Sequence, residues 1–429
     1  MDPERQKAQG NEDSVELHFQ QILAAGDYRG EEEKIRYLVE HALEGWMWLE
    51  GMGVELAQPI FQIYGALWPR THQGKYKGKT RGEALTSPLH DQVEARGISL
   101  LLRHKVTRII RYMPLELEGR VLGVEVDGEG KKYNFKARRA LVLATGGFCA
   151  DVEMRARHDP RFDGRFPTTN HPGATGEILN MTEDIGADET GMDFIQSIGP
   201  GGRDIRYISP PAGQMYSLMS MVGSLTTNYC IYTDLSGRRI VASDARRDAI
   251  TEAVMRTPER VCVSISNESG RENALMRGAR LETLEMMKDR PHELVRADTI
   301  RELAEKIGMR DSSVLEQTVA RYNSYVDAKN DPEFGQRPHN LTWKCEKPPF
   351  WAATGSPALH HMCGGLRTKE TTARVLDRWN NVIPGLYAAG EIVGGVHGAN
   401  RVGANAIADC IVFGRVAGRN AASEKPWSD

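Results

Sequence analysis

The densest chemistry in the chain lies between Ile383 and Gly418, where IPGLYAAGEIVGGVHGANRVGANAIADCIVFGRVAG runs from an apolar segment through a glycine-rich turn into an apolar-periodic stretch. LYAAGE has the make-up of a buried parallel strand that ends in small residues and one acid, Glu391, as such strands do where they arrive at a ligand. GGVHGANRVGAN then brings four glycines, His397, Arg401 and two asparagines to the start of a helix predicted from about Ala404 to Ala417. A glycine-rich turn feeding a helix N-terminus presents bare N–H groups and a positive dipole end, which suit an anion or a polarised carbonyl. The stretch reads as a ligand clamp.

The elements that must position this clamp follow from the rest of the sequence. With 429 residues, the chain exceeds what one core supports, so two domains are expected. A formal charge of -3 and a pI near 6.5 give no electrostatic reason for a nucleic-acid partner or an anionic membrane. No apolar run approaches the roughly 18 residues of a membrane span, and the opening MDPERQKAQGNEDS is no signal peptide, so the expected location is cytoplasmic. Six cysteines (149, 230, 262, 345, 363 and 410) stand without a C-x-x-C or C-x-x-C-H spacing. That spacing excludes recognisable iron–sulfur or c-haem attachment and points to reduced thiols, Cys363 among them as a space-filling buried thiol; no metal site is expected.

The first 60 residues read as helices. Asp13 to Glu16 has the D-x-x-E form of a capping box, and Ile35, Leu38, Leu43, Trp46 and Leu49 follow a helical spacing until GMGVEL breaks it. From Leu100 to Phe148 the pattern is β: LLRHKVTRIIRYM as a strand, GRVLGVEVDGEGKKYNFKA as a hairpin about Asp127 to Gly130, and ALVLATGG as a buried strand ending in glycines.

Six motifs in order, ALVLATGGF (Ala140 to Phe148), TTNHPGATGE (Thr168 to Glu177), SGRRIVASDARRDA (Ser236 to Ala249), ARYNSYVDAKNDPEFG (Ala320 to Gly335), ALHHMCGG (Ala358 to Gly365) and the C-terminal stretch, resemble the FAD-dependent fumarate reductase and succinate dehydrogenase flavoproteins, most closely the soluble flavocytochrome c type. The resemblance implies an α/β fold: a Rossmann-like FAD-binding domain in two parts, 1–149 and 348–429, with an α+β capping domain inserted at 150–347. It implies adenine-side FAD contacts at Val106 and Ala144, Thr145 and Gly146. It places Gly390 and Glu391 at the ribitol or ribose, a backbone contact at His361, and Ala404, Asn405, Ala406 and Ile407 at the flavin pyrimidine. Glu177 stands where the family usually has Asp, one methylene longer at the turn that reaches the flavin.

Family members begin with a strand, a G-x-G-x-x-G turn and a helix that hold the ADP pyrophosphate. No G-x-G-x-x-G occurs in this sequence, and Gln6, Gly10, Asp13, Ser14 and Glu16 resemble the segment that directly follows that unit, so the FAD domain is expected to be N-terminally incomplete. The expected cost is lower FAD affinity and an uncovered edge of the central sheet.

By the same resemblance Arg247, with Asp248 beside it and Arg246 as the neighbouring alternative, is the group that protonates the substrate carbon. His360 and Arg401 grip a substrate carboxylate, with Ala404 at the same site. Ile198 occupies the place where fumarate reductases carry a histidine for a second carboxylate. The Glu and Arg of the family's proton relay fall in PPAGQMYSLMSMVGSLTTNY, where Met215, Met219 and Met221 read either as ordinary core or as an adaptable wall for a larger apolar substrate. The expected activity is reduction of the C=C bond of an α,β-unsaturated carboxylate or enone, by hydride from FAD and a proton from Arg247, with an external reductase or cytochrome on another chain as electron donor. Two alternatives stay open: a flavin dehydrogenase running in the oxidative direction, and a degenerate flavoprotein without activity.

Overall fold

The computed structural model describes residues 1–63, 66–113, 117–202, 229–276 and 294–427. Met215, Met219 and Met221 lie outside the described residues. The chain divides into two compact units, one made of Met1–Met154, Ala174–Ile195 and His361–Asp429, the other of Arg155–Gly173 and Gln196–His360.

In the first unit, helices Val15–Ala25, Glu32–Glu50 and Asn405–Ser423 close over a parallel pair of strands. Ile35, Leu38 and Val39 recur on one face of Glu32–Glu50, and with Phe19, Ile22, Val412, Phe413 and Val416 they form a core that reaches Tyr387 and Ala389. The two long helices approach closely at Gly45, where a Cβ would stand 2.9 Å from Ile411 Cγ2. Gly51 ends the helix, as GMGVEL implies. The cap of Val15–Ala25 is Ser14, whose Oγ accepts from Leu17 N–H at 3.0 Å, and not Asp13. Asp13 is drawn away because both of its oxygens accept from Arg70, at 2.6 and 2.7 Å.

Strand Val382–Ala388, the predicted LYAAGE strand, runs parallel to Leu141–Leu143, with Leu386 opposite Leu141 and Ala388 opposite Leu143. Among the described residues Leu141–Leu143 has no strand on its other side, and Val142 is 39 % exposed. The hairpin appears as Val121–Gly128 and Lys131–Lys136, turning through Glu129 and Gly130 at positive φ, which matches the right-handed strand twist. The strand expected over LLRHKVTRIIRYM starts only at His104. Leu100, Leu101 and Leu102 find no strand partner among the described residues and stay 49–69 % exposed, so their apolar character does not by itself make a strand. The C-terminal helix runs six residues beyond the predicted Ala417, to Ser423.

In the second unit six strands form one sheet, in the order Arg239–Val241, Ile231–Thr233, Cys262–Asn267, Phe350–Met362, Leu294–Ala297, with Ile195–Gly202 pairing the long strand Phe350–Met362. Ile231, Val263, Ile265 and Ala352 from this sheet pack on Leu303, Leu315, Val319 and Tyr322 of helices Ile300–Ile307 and Ser312–Ala328. A buried ion pair ties two of the motifs together here. Arg239, of SGRRIVASDARRDA, donates to both oxygens of Asp331, of ARYNSYVDAKNDPEFG, at 2.9 and 2.8 Å, with both side chains at most 1 % exposed. Among the described residues all six cysteines are free thiols, five of them buried, Cys363 included. No described helix is long and apolar enough to cross a membrane.

Candidate active site

In the first unit three of the motifs converge through backbone and one carboxylate. The Glu391 Oε1 atom accepts from Met362 N–H at 2.9 Å and lies 3.5 Å from His361 Nδ1, so GE is tied to HHM. Gly147, at the end of ALVLATGG, can carry no Cβ because one would fall 2.6 Å from Met362 Cγ and 2.8 Å from Glu391 Oε1. Burial pushes the Glu391 carboxyl upward, and His361 and the Met362 N–H outweigh it, holding the group below the usual glutamate value. Burial pulls the His361 imidazole down to about 4, against the upward pull of Glu391, so it is neutral at pH 7. His361 is 4 % exposed, and its Nε2 has no hydrogen-bond partner among the described residues.

The turn that follows Glu391 carries His397 and Arg401, 3 % and 7 % exposed. His397 Nε2 lies 3.5 Å from Asp409 of the C-terminal helix, and its ring meets that of His361 edge-on at 5.3 Å between centroids. Ala404, in the left-handed region at φ 70°, turns the chain into the helix at Asn405. The N-terminus of that nineteen-residue helix borders a cavity of about 300 Å³. Ala404, Asn405 and Ile407 form one wall; Trp46, Trp68, His18 and Arg70 are among those that complete it. That volume is at the lower end of the ~300–1,000 Å³ of small-molecule sites. Sequence reading missed this second wall, since Trp46 and Trp68 look like core and Arg70 like surface. The only signal was the concentration of Trp68, Arg70 and His72 in one short loop.

The remaining cofactor candidates of this unit are placed as follows. Val106 is on strand His104–Arg111 opposite Val126, and Ala144 and Thr145 are exposed just past Leu143, with Gly146 at φ 78°. Gly390 is buried at φ 78°. Glu177 opens the short helix Glu177–Glu183, where its carboxylate pairs with Lys105 at 2.6 Å.

The second unit holds Arg247, Ile198 and His360. Arg247 is the first residue of helix Arg247–Met255 and is 7 % exposed, whereas Arg246 is exposed and bonded to Asp248. Burial therefore separates the two arginines that the sequence leaves as alternatives. Strand residue Ser197 bonds Thr251, whose hydroxyl also donates to the Arg247 carbonyl at 2.9 Å, so the strand carrying Ile198 is fastened to the helix carrying Arg247. Ile198 is buried at 7 %. His360 Nδ1 lies 2.8 Å from Thr169 Oγ1, and Leu359 bonds Thr169 and Pro167 through its carbonyl and N–H, so TTNH and ALHH form one local structure.

Comparisons with known proteins identify the family. The profile described as "FAD binding domain" matches residues 3–407. The fumarate reductase (cytochrome) of Shewanella frigidimarina is 31 % identical over 419 residues, 98 % of this chain and 68 % of that one. The NADH:acrylate oxidoreductase of Vibrio harveyi is 32 % identical over 95 % of this chain and 39 % of its own length. Among solved structures, the open conformation of a flavocytochrome c3 fumarate reductase matches with a TM-score of 0.77 at 30 % identity, over 98 % of this chain and 69 % of that one. The chain thus spans about two thirds of the first relative and well under half of the second. The chain belongs to the FAD-dependent fumarate reductase and succinate dehydrogenase flavoprotein family.

Proposed function

We propose that this chain carries the flavin site of a reductase that saturates the C=C bond of an α,β-unsaturated monocarboxylate or an enone. The residues of the first unit suit FAD: an unpartnered His361 Nε2, a cavity with aromatic walls, and a long helix N-terminus aimed at it. Val106, Ala144, Thr145 and Gly146 would hold its adenine side, Glu177, Gly390 and Glu391 the middle, and the His361 backbone with Ala404, Asn405, Ala406 and Ile407 the ring end. When bound, FAD supplies the hydride for the β-carbon.

The chain's own groups do the rest. Arg401 pairs its planar fork with the substrate carboxylate, a geometry lysine cannot copy. His360 donates to the same group from Nε2, its ring oriented by Thr169 through Nδ1. Both withdraw electron density from the double bond. Arg247 gives a proton to the α-carbon as the enolate-like charge collapses. Arginine is a weak acid, so this role needs a dry environment, which the 7 % exposure of Arg247 favours. Ile198 offers no hydrogen bond to a second carboxylate, which favours acrylate-like over fumarate-like substrates. An external donor on another chain returns the electrons.

The single observation that carries the reading is that Arg247 and Arg401 are both buried arginines, 7 % exposed. The test is to load the protein with FAD, remove free cofactor, and follow oxidation of reduced methyl viologen by acrylate and by fumarate, for the wild type and Arg247→Lys. Faster turnover of acrylate, abolished by Arg247→Lys with flavin retained, is expected. Preference for fumarate, or an active Arg247→Lys protein, overturns it.

A further inference from the structure

Lys34 is an anomaly the flavin chemistry does not absorb. It sits in the first turn of helix Glu32–Glu50, yet it is 1 % exposed. An ammonium group is almost never buried without partners. Its Nζ donates to the carbonyl of Gly394 at 3.1 Å and pairs with Glu31 at 3.1 Å, and the acids Asp409 and Glu370 add attraction from farther off.

Gly394 begins the turn that leads through His397 to Arg401. The same helix junction holds this turn at two further points: Glu31 N–H donates to the Gly395 carbonyl at 2.7 Å, and Ala399 N–H donates to the Gly26 carbonyl at 2.9 Å. The backbones lie so close that side chains are excluded from both. A Cβ on Gly26 would be 2.5 Å from the His397 carbonyl oxygen, and one on Gly398 would be 2.4 Å from the Gly26 carbonyl oxygen. Two of the three bonds are backbone to backbone and survive any side-chain change. The third of these bonds, and the charged one among the three, comes from Lys34.

We propose that Lys34 is a positioning residue for Arg401, acting through the Gly394 carbonyl to fix the turn that delivers the arginine. This rests on the assignment of Arg401 as the carboxylate-binding group. A point charge at one end of the turn, opposite the backbone bond at Ala399, removes the freedom of the residues between; ordering them before the ligand arrives is how preorganisation raises affinity. The substrate carboxylate is already ionised in the ground state, so looser positioning of Arg401 weakens substrate binding, and the loss appears first in KM.

The test compares wild type with Lys34→Met, which keeps the length and loses the charge, and with Lys34→Met/Glu31→Gln, which also removes the carboxylate left behind. Amide hydrogen exchange is measured on the protein as it stands. In both variants the amides of Gly394 to Ala399 should exchange at least about tenfold faster, while those of the helix interiors at Leu38 to Leu49 and Val412 to Val416 keep their protection. With FAD-loaded protein, the KM for acrylate should rise about tenfold and kcat change by less than about threefold. Unchanged exchange in the turn, or acceleration spread equally over turn and helices, overturns the proposal, as does a loss confined to kcat. If the loaded wild type does not turn over acrylate at all, the reductase reading fails, and the exchange pattern still decides whether Lys34 holds the turn.

Discussion

Lowering the pH from about 8 to about 5 asks two buried imidazoles to take up protons that their surroundings refuse. His18 and His361 are 5 % and 4 % exposed; burial pulls the first down to about 3, assisted by the Arg70 charge, and the second to about 4. Once unfolded, both titrate near the ordinary histidine value of 6.5. The unfolded state therefore binds more protons between that value and the folded ones, so folding stability is complete above about pH 6.5 and falls as the pH drops toward 4. At about pH 5, one and a half pH units below the unfolded value, each imidazole removes about 2 kcal/mol. Carboxylates held low in the fold, such as Asp2, Asp13 and Glu391, begin to cost stability only near their ordinary values, below this window. The assay is urea unfolding followed by tryptophan fluorescence at several pH values, for the wild type and for His18→Met. The variant should lose about half of the wild type's decline between about pH 6.5 and about pH 5. A decline of equal size in both proteins would show that His18 is hydrated or charged in the fold and would refute the burial argument.

Three further outcomes follow from particular contacts. Asp331→Ala leaves the Arg239 guanidinium, 1 % exposed, with only Gln336 at 3.0 Å and Glu333 at 3.9 Å as polar partners among the described residues, and should cost about 3 kcal/mol in urea unfolding. Gly395→Ala forces a side chain onto φ 90°, with its Cβ 2.2 Å from Glu31 Oε1. It should lower stability by roughly 1–2 kcal/mol from backbone strain alone, and pairing it with Glu31→Ala should recover only the steric excess, as thermal unfolding of the two variants would show. Ile198→His introduces a hydrogen-bond donor on the strand fastened to the helix of Arg247. It should raise the ratio of kcat/KM for fumarate over acrylate about tenfold, near the lower end of what one hydrogen bond to a charged group is worth.

The motifs made the fold readable because they are where segments remote in sequence touch. ALVLATGG and LYAAGE look alike as apolar runs ending in small residues because they are the parallel pair, but only Leu386 to Ala389 are buried throughout; Val142, Ala144 and Thr145 stay exposed, against the buried strand expected there. Arg239 and Asp331 were legible only as members of motifs; nothing in a lone arginine or aspartate announces a buried pair 92 residues apart in sequence. Local chemistry misled where tertiary demand was stronger. Asp13 has the side chain of a helix cap, but Arg70 takes both of its oxygens and Ser14 caps instead. Leu100 to Leu102 have strand-like character without a strand to pair with among the described residues. The segment Ala174–Ile195 follows the start of the expected capping insert, yet packs with the first unit, because Ala150 N–H bonds Ala174 and Phe194 bonds Cys363 through backbone contacts that no side-chain pattern records.

The same separation bears on how much a matching motif says about activity. GGVHGANR contains residues that the backbone alone requires: Gly398 meets the Gly26 carbonyl at a distance that excludes any side chain, and Gly395 stands at φ 90°. Such residues speak for the fold and are silent on chemistry. His397, Arg401 and Asn405 are different, for each is a polar side chain at most 7 % exposed in a place where an apolar residue would pack at lower desolvation cost. The functional proposal therefore rests on buried polar side chains such as Arg401 and Arg247, and not on the length of the match. By that criterion Ile198 also carries information. A buried isoleucine there offers a ligand no hydrogen bond, and the proposal of a substrate with a single carboxylate rests on that.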